Sequence, residues 1–340
     1  MRSYREVDRV KWALWAVIVG ALAWALFFVP DGPQYVVNGI RYGSILMLGA
    51  IGLSLTYKIL NFANFSHGEF IVIGAFVTYA VHEPLLSALP RSWISDEYAR
   101  YLAVGIGMLV AVVVASLVAI LVDRVLYRRM RKSAAVVLII ASFGMSLFLR
   151  SLVQAIWGTG NKAYAILIQP GMLFDVGFFR VRMSTLEMVT VALALLLIVL
   201  LHLFLKYTRT GKAMRAMADN VDLARISGVN TERMIAWTWG IGAGLAAVSG
   251  VFMGLNFGAF NPNTGSLVLL SLFAAVILGG IGSPYGAMLG GLIIGVAQNI
   301  LVAPATAISS QYQPAVAFAL MILMLLIRPQ GLLGEAERRG

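Results

Sequence analysis

A short polar segment between two apolar runs carries the side chains best suited to chemistry in this sequence. It reads LNFANFSHGE over residues 60–69 and brings together amide, hydroxyl, imidazole and carboxylate groups. Such groups bind polar solutes or cap helices, but the sequence offers no paired carboxylates, no histidines at metal-ligand spacing and no nucleophile beside a base. The fragment GTGNK at 158–162 also has the wrong spacing for a phosphate-binding loop. No catalytic or metal site is therefore predicted.

Two interpretations of this polar segment stay open. In the first, its polar groups line a pathway, because polar side chains at membrane depth must face protein or a water-filled cavity. In the second, asparagine and serine cap the following helix, and Glu69 is favoured by the positive end of its dipole. The first interpretation also makes the neighbouring phenylalanines apolar walls or gates. The predicted pathway residues are Asn61, Phe62, Asn64, Phe65, Ser66, Asn256 and Phe257.

The polar segment has a counterpart late in the chain. LNFGAF at 255–260 matches LNFANF at 60–65, with identical leucine, asparagine and both phenylalanines. In the topology predicted below, the two segments lie on opposite faces of the membrane. Related segments on opposite faces indicate an inverted repeat, which places a substrate route at the interface of two halves.

The overall composition is that of an integral membrane protein. Hydrophobic residues make up 60% of the 340 positions and charged residues only 12%, too few to cover a soluble protein. The formal charge of +11 could indicate nucleic-acid binding, but the basic residues lie in short clusters between apolar runs. Anchoring by positive cytoplasmic loops explains this pattern, so no nucleic-acid partner is predicted. The absence of cysteine excludes a disulfide framework.

The apolar runs predict an all-α membrane protein, a single domain over 1–340 with about ten transmembrane segments. The predicted spans lie near 12–29, 36–57, 65–81, 101–122, 134–157, 185–205, 234–254, 266–281, 286–303 and 312–327. Lys and Arg are far more frequent in the predicted inside segments, which places both termini in the cytoplasm. The count could be eight, because the Gly-rich runs over 266–303 are short enough for one to be re-entrant. We expect the glycines of 278–295 to form a helix-packing surface.

The longest polar interruption, residues 206–233, is predicted to be a cytoplasmic loop. Its basic residues are Lys206, Arg209, Lys212, Arg215, Arg225 and Arg233. Good helix formers, with Asp219 or Asn220 as a cap and Gly228 as a terminator, predict two short helices. Composition alone favours a solvated connector, and the alternative is a docking element for a cytosolic partner.

Two features remain unassigned by these patterns. Arg41 and Arg150 lie within predicted spans, where a charge is costly; Arg41 is close enough to an end to snorkel, and the sequence names no partner for either. The outside segment 158–184 carries turn signals that predict either a hairpin cap or an ordered loop.

Three segments resemble the branched-chain amino acid ABC permease family, in its LivH type. They read TYKILNFANFSHGEF (56–70), RTGKAMRAMADNVDLARISGVNTERMIAWTWGIGAGLAAVSG (209–250) and AAVILGGIGSPYGAMLGG (274–291). Their order and spacing agree with the family, and together they span most of the chain. There are two departures: Lys58 stands where glycine is common, and the outer loop 81–101 is long. Both departures leave the identity of the transported solute undetermined.

The resemblance implies the fold of a type II ABC importer permease with inverted repeats, multi-pass in the cell inner membrane. The implied partners are a second permease of the LivM type, two cytosolic ATPase subunits that bind ATP and magnesium, and an extracytoplasmic solute-binding protein. No cofactor is implied in this chain. In similar permeases the loop corresponding to 217–228 contains a coupling helix that docks in a groove of the ATPase. The coupling residues carried over are Ala218, Asp219, Asp222, Ala224 and Gly228.

The sequence therefore predicts a permease subunit of an ABC importer for branched-chain or other neutral amino acids. It would work by ATP-driven alternating access and would not itself be an enzyme. A urea or short-chain amide ABC permease is the alternative within this class. An ion-coupled secondary transporter or channel is the alternative of another class. It has few relay candidates, because Glu69, Glu187, His67 and His202 all lie near predicted span ends.

Overall fold

A computed structural model describes residues 15–16, 18–24, 26–88, 96–164, 166, 171–176, 179–303 and 309–334. Its long and short helices are α1 (Gly32–Leu60), α2 (His67–Ala88), α3 (Asp96–Val122), α4 (Ala135–Trp157), α5 (Thr185–Tyr207), α6 (Arg209–Asp219), α7 (Val221–Ile226), α8 (Thr231–Phe257), α9 (Thr264–Gly279), α10 (Pro284–Ile300) and α11 (Gln313–Ile327). A π-helical turn over Asp123–Tyr127 and a last turn over Arg128–Met130 extend α3.

Six of the described helices, α1 to α5 and α8, are each long and apolar enough to cross a membrane. Helices α9 and α10 pass the same test only as a pair bent by 120°, which raises the number to at most seven. Helix α11 and the apolar helix Ile18–Phe28 are shorter. The protein is therefore mostly helical with six or seven candidate spans, and the predicted count of about ten is not confirmed. The predicted first span, 12–29, lies partly outside the described residues.

Helices α1 and α8 form the antiparallel centre of the bundle. Ser249 Oγ donates to the Ile45 carbonyl at 2.8 Å, and a Cβ on Gly52 would lie 2.5 Å from the Gly242 carbonyl oxygen. The contacts pair rising residue numbers in α1 with falling numbers in α8, which defines the antiparallel direction. Because the closest contact lacks a side chain, the two backbones approach directly, as is typical of small residues in membrane helices.

The glycines of α10 pack against α1 and α9. A Cβ on Gly295 would lie 2.3 Å from Gly43 Cα in α1, and a Cβ on Gly290 would lie 1.9 Å from the Ala275 carbonyl in α9. Neither position has room for a side chain. The prediction of a packing surface over 278–295 is therefore confirmed.

Helices α2 and α9 begin inside the bundle, at the same place. Gly68 and Gly265 are the second residues of their helices, and a Cβ on either would lie within 2.6 Å of the other's carbonyl oxygen. Helices α1 and α2 thus form one consecutive pair, and α8 and α9 form another. The first helices of the two pairs, α1 and α8, are antiparallel. The second helices, α2 and α9, start in contact with each other. The inverted repeat itself stays a prediction.

A small β-hairpin interrupts the helical pattern in the segment 158–184. Strand β1 (Met172–Val176) pairs antiparallel with β2 (Phe179–Met183), with Phe174 opposite Val181. Gln34 in the first turn of α1 holds the hairpin by donating to the Arg182 carbonyl at 2.9 Å and accepting from its amide at 2.7 Å. Of the two predicted alternatives for this segment, the two strands agree with a hairpin, and they depart from the all-α assignment.

Candidate transport pathway and coupling surface

The polar segment Asn61–Ser66 connects the end of α1 to a helix that starts deep in the bundle. Asn61 ends α1 in the left-handed conformation, with φ of 54°, and its amide donates to the Tyr57 carbonyl at 2.8 Å. His67, the first residue of α2, has its Nε2 3.0 Å from the Gly49 carbonyl. Since Gly49 precedes the end of α1 by three turns, the His67 imidazole lies about 16 Å back along α1, toward the middle of the bundle.

Two of the predicted pathway residues shape this return. Asn64 Oδ1 accepts from the Ser66 amide at 3.1 Å and from the Ser66 hydroxyl at 2.7 Å, and both residues are buried. Such a bond from asparagine to the backbone two residues on is a turn that tolerates irregular chain. Asn64 and Ser66 therefore stabilise the conformation of the loop that precedes α2, and their side chains face protein.

The two phenylalanines of the segment differ in environment. Phe62 is buried with its ring centroid 5.2 Å from that of Tyr127. Phe65 is only partly buried and lies between Phe143 of α4 and Phe273 of α9, at centroid distances of 6.3 and 5.1 Å. Phe62 is thus packed inside the protein, whereas Phe65 lies where the loop, α4 and α9 meet.

An ion pair attaches α4 to the start of α2. Glu69 is fully buried, and its Oε1 accepts from Arg150 Nη2 at 2.7 Å and from Ser146 Oγ at 2.9 Å. Ser142 Oγ, one turn earlier, accepts from the Phe65 amide at 3.1 Å. The interpretation of Glu69 and His67 as peripheral was wrong, because the helix end they occupy lies inside the protein. Sequence reasoning missed Arg150 as the partner of Glu69.

The other intramembrane arginine is paired as well. Arg41 Nη1 donates to Glu187 Oε1, and the same carboxylate closes a capping box with Ser184 at the start of α5. Both side chains are about one-fifth exposed. Arg41 therefore joins α1 to α5 through a partner that the sequence did not name.

The second repeat segment ends α8 in a more open environment. Asn256 Nδ2 donates to Thr190 Oγ1 at 3.0 Å and to the Phe252 carbonyl at 2.8 Å. Phe257 is half exposed and lies edge-on to Tyr42 at 5.6 Å, before Gly258 ends the helix with φ of 75°. The structure therefore does not bring Asn256 and Phe257 into contact with the first repeat segment.

A polar cluster beside the first repeat segment was missed from the sequence. Tyr127, in the π-helical turn, donates to Asn64 Oδ1 at 3.3 Å and stacks on Trp239 of α8 with centroids 5.1 Å apart. In the same turn, the buried Asp123 accepts from Arg131 at 2.7 Å, and Arg131 also donates to Glu232 at 2.5 Å. Glu232 lies in the first turn of α8, near the end of the basic loop. The sequence signal that could have revealed this cluster was Asp123, a carboxylate in the arginine-rich segment 123–131.

The basic loop 206–233 folds as the two predicted helices, with Asn220 as the cap of α7. Asn220 Oδ1 accepts from the Leu223 amide at 2.8 Å, and Gly228 ends the unit with φ of 86°. The apolar face of α6, Met214 and Met217, is buried against the bundle. The loop therefore packs one face of its helices against the bundle and exposes the other face.

The predicted coupling residues divide between these two faces. Asp219 and Asp222 are exposed, Ala218 is partly buried and Ala224 is buried. Two residues missed from the sequence, Leu223 and Ile226, are 58% and 81% exposed on the outward face of α7. Contiguous exposed apolar surface marks contacts with other proteins or with the membrane.

Comparison with known proteins identifies the family. The family described as "Branched-chain amino acid transport system / permease component" matches residues 35–325. The chain is 37% identical over 306 residues to the high-affinity branched-chain amino acid transport system permease protein LivH of Salmonella typhimurium, covering 89% of this chain and 96% of that one. It is 35% identical over 305 residues to the corresponding protein BraD of Pseudomonas aeruginosa, with the same coverage. No solved structure gave a significant match. The chain therefore belongs to the permease-component family of branched-chain amino acid transport systems.

Proposed function

We propose that this chain is one of two permease subunits of an ABC importer for branched-chain amino acids. Similarity to LivH and BraD over nearly their whole length is the observation that carries the proposal. Its partners would be a second permease, two cytosolic ATPases and an extracytoplasmic solute-binding protein. The ATPases would bind ATP and magnesium, and this chain would supply the route.

The solute route follows the inverted repeat. Helices α2 and α9 start in contact inside the bundle, and broken helices of this kind line the substrate route in other transporters. Asn61, Phe65, Asn256 and Phe257 remain our candidates for groups along the route, because each is at least partly exposed. The buried Phe62, Asn64 and Ser66 would pack behind these residues and so fix the shape of the route.

The outward face of α7 is the proposed contact with the ATPase. Leu223 and Ile226 would enter the groove, with Asp219 and Asp222 beside them, while the buried Ala224 and the turn at Gly228 hold the helix in place. This extends the predicted coupling set by the two apolar residues.

A chain of direct contacts leads from this docking face to the route. Glu232 follows the docking helices at the start of α8 and is joined by Arg131 to Asp123 in the π-helical turn. Tyr127, one turn on, contacts Asn64 and Ser66. Movement of the loop by the ATPases would therefore reach the first repeat segment through the two ion pairs of Arg131 and through the buried Tyr127.

The experiment is reconstitution with the partner subunits. We expect Asp222→Arg to lower ATPase retention and ATP-driven leucine uptake. The matched control is Asp175→Arg on the hairpin. Both aspartates are mostly exposed and each has only a weak arginine neighbour, at 3.7 Å for Asp222 and 3.2 Å for Asp175. Equal effects of the two changes would contradict the docking site.

The same reconstitution separates the alternative functions. Competition by leucine, isoleucine and valine, with none by urea or acetamide, is the expected pattern. Competition by urea instead would move the proposal to a urea or amide permease. Flux without ATP or partner subunits would overturn it in favour of an ion-coupled transporter or channel.

The proposed topology has both termini in the cytoplasm, with about ten spans or eight if the bent α9–α10 pair is re-entrant. The cysteine-free sequence allows single cysteines to be placed at will. We expect an impermeant thiol reagent, added to intact cells, to label Thr159→Cys and to leave Ser227→Cys unlabelled. Both positions are exposed. Labelling of Ser227→Cys but not of Thr159→Cys would show that the topology is the reverse of the proposed one.

A further inference from the structure

A groove of about 480 Å³ opens on the flank of the bundle, between α3 and α5, with α8 as its floor. Helix α3 contributes Ser116 to its walls, and α5 contributes Leu197. The floor includes Gly240 and Gly244, whose missing side chains deepen it. None of the lining residues belongs to the proposed route or to the docking face. Neither of those proposals therefore explains the groove.

The lining of the groove is apolar except at one end. The hydroxyl of Ser116 already donates to the Gly240 carbonyl at 2.7 Å. Arg233 lies at the end of the groove nearest the basic loop. In the part of the chain that the structure describes, no carboxylate lines the groove and the Arg233 side chain makes no ion pair. Its neighbour Glu232 pairs with Arg131 instead. The positive charge of Arg233 is therefore available to an anion.

The groove is open at the Arg233 end and closes toward the middle of the bundle. Along one face of α8, Arg233 and Trp237 are exposed, Ile241 is partly buried, and Leu245 and Val248 are buried. Val248 follows Arg233 by fifteen residues, which is a rise of about 22 Å. A bilayer with its headgroup layers is about 40–45 Å thick, so the groove matches one leaflet in length.

We propose that this groove binds one phospholipid with an anionic headgroup. The phosphate would pair with Arg233, and one acyl chain would lie over Gly240 and Gly244. Basic side chains at membrane-helix ends attract anionic headgroups, and a tryptophan such as Trp237 favours the headgroup level. The volume is within the range of about 300–1,000 Å³ that is typical of ligand sites.

The shape of the groove favours a lipid over two other occupants. A membrane-spanning helix of a partner would need a groove open across the whole hydrocarbon core of about 30 Å, whereas this groove closes at half the depth of the bilayer. A free phosphate would use Arg233 alone and would leave the apolar length of the groove unexplained. Lipid binding here does not depend on the proposed transport function.

The test is lipid binding by the purified full-length chain, measured by native mass spectrometry with phosphatidylglycerol and phosphatidylethanolamine. We expect tighter retention of phosphatidylglycerol, and a loss of about fivefold for Arg233→Gln. Arg233→Lys should retain most of the binding. The matched control is Arg209→Gln, which removes an exposed cation at the start of α6 that does not line the groove.

Two further measurements test the apolar part of the groove. Phosphatidylglycerol with short acyl chains should be retained less than the same lipid with long chains. Gly240→Leu should lower retention, because the larger side chain would fill the groove. Gly240→Ala should leave most of the binding, since its Cβ would lie at an ordinary contact distance, 3.6 Å from Ile120 Cδ1.

Several outcomes would overturn the proposal. Equal retention of the two headgroups, or equal effects of Arg233→Gln and Arg209→Gln, would show that the arginines act only as general anchors. Equal retention of short and long chains, or displacement by millimolar inorganic phosphate, would identify a free-anion site. Loss of the lipid on assembly with the second permease would mean that a partner helix covers the groove. Uptake is not part of these readouts, so a failure here is distinct from failure of the transport proposal.

Discussion

Removal of Arg150 should destabilise the protein far more than removal of an arginine at the surface. Arg150 donates two hydrogen bonds to Glu69, whose side chain is 1% exposed. In Arg150→Met, the hydroxyl of Ser146 would remain the one described donor to that carboxylate. Leaving a buried charge without its partner costs about 3–5 kcal/mol. Because the Arg150 side chain is 20% exposed, we expect about 3 kcal/mol.

The control is the pair of Arg180 and Asp175 on the hairpin, whose side chains are 84% and 73% exposed. An exposed pair contributes about 0–1 kcal/mol, so Arg180→Met should have little effect. The double change Glu69→Gln with Arg150→Met should recover much of the lost stability, since no buried charge remains. Reversible unfolding in mixed detergent micelles, followed by the fluorescence of the seven tryptophans, gives the unfolding free energy of the unchanged protein and of the three variants.

Two results would refute this reasoning. If Arg150→Met and Arg180→Met have equal effects, the buried pair does not hold α4 on α2. If the double variant is no more stable than Arg150→Met, the loss came from packing of the arginine stem and not from the unpaired carboxylate.

Three further predictions concern other contacts. Gly250→Ala should lower the unfolding free energy by about 1–3 kcal/mol or more, because its Cβ would lie 1.9 Å from the Ile71 carbonyl. Gly144→Ala, with nothing within 4 Å, should raise it slightly in the same assay. Tyr127→Phe should cost only about 1 kcal/mol yet reduce leucine uptake per ATP hydrolysed, and an unchanged ratio would contradict the coupling path. Leu223→Asp should release the ATPase without lowering stability; full retention in a pull-down would argue against the docking face.

The class of the protein and its helices were predictable because they depend on local properties of the chain. A bilayer selects apolar runs about 20 residues long, and every run predicted beyond residue 30 overlaps a helix of the structure. The two helices of the basic loop followed from helix formers and from caps such as Asn220 and Gly228. Such signals need no information about distant residues.

Depth in the bundle was not predictable in the same way. Sequence patterns treat each span end as the membrane surface, whereas α2 begins beside Gly49 in the middle of α1. That error made Glu69 and His67 look peripheral. The bent α9–α10 pair raises the same difficulty, because neither helix alone is long enough to show on which side it ends.

The sequence by itself determined a membrane protein, its helices, its basic loop and its family, since these depend on composition, periodicity and recognisable segments. The tertiary structure alone decided which residues meet: Gly68 with Gly265, Glu69 with Arg150, and Tyr127 with Asn64. The physical reason is that these contacts join helices far apart in the chain. Buried charges and bare glycine backbones specify that a partner is needed, and only packing selects the partner.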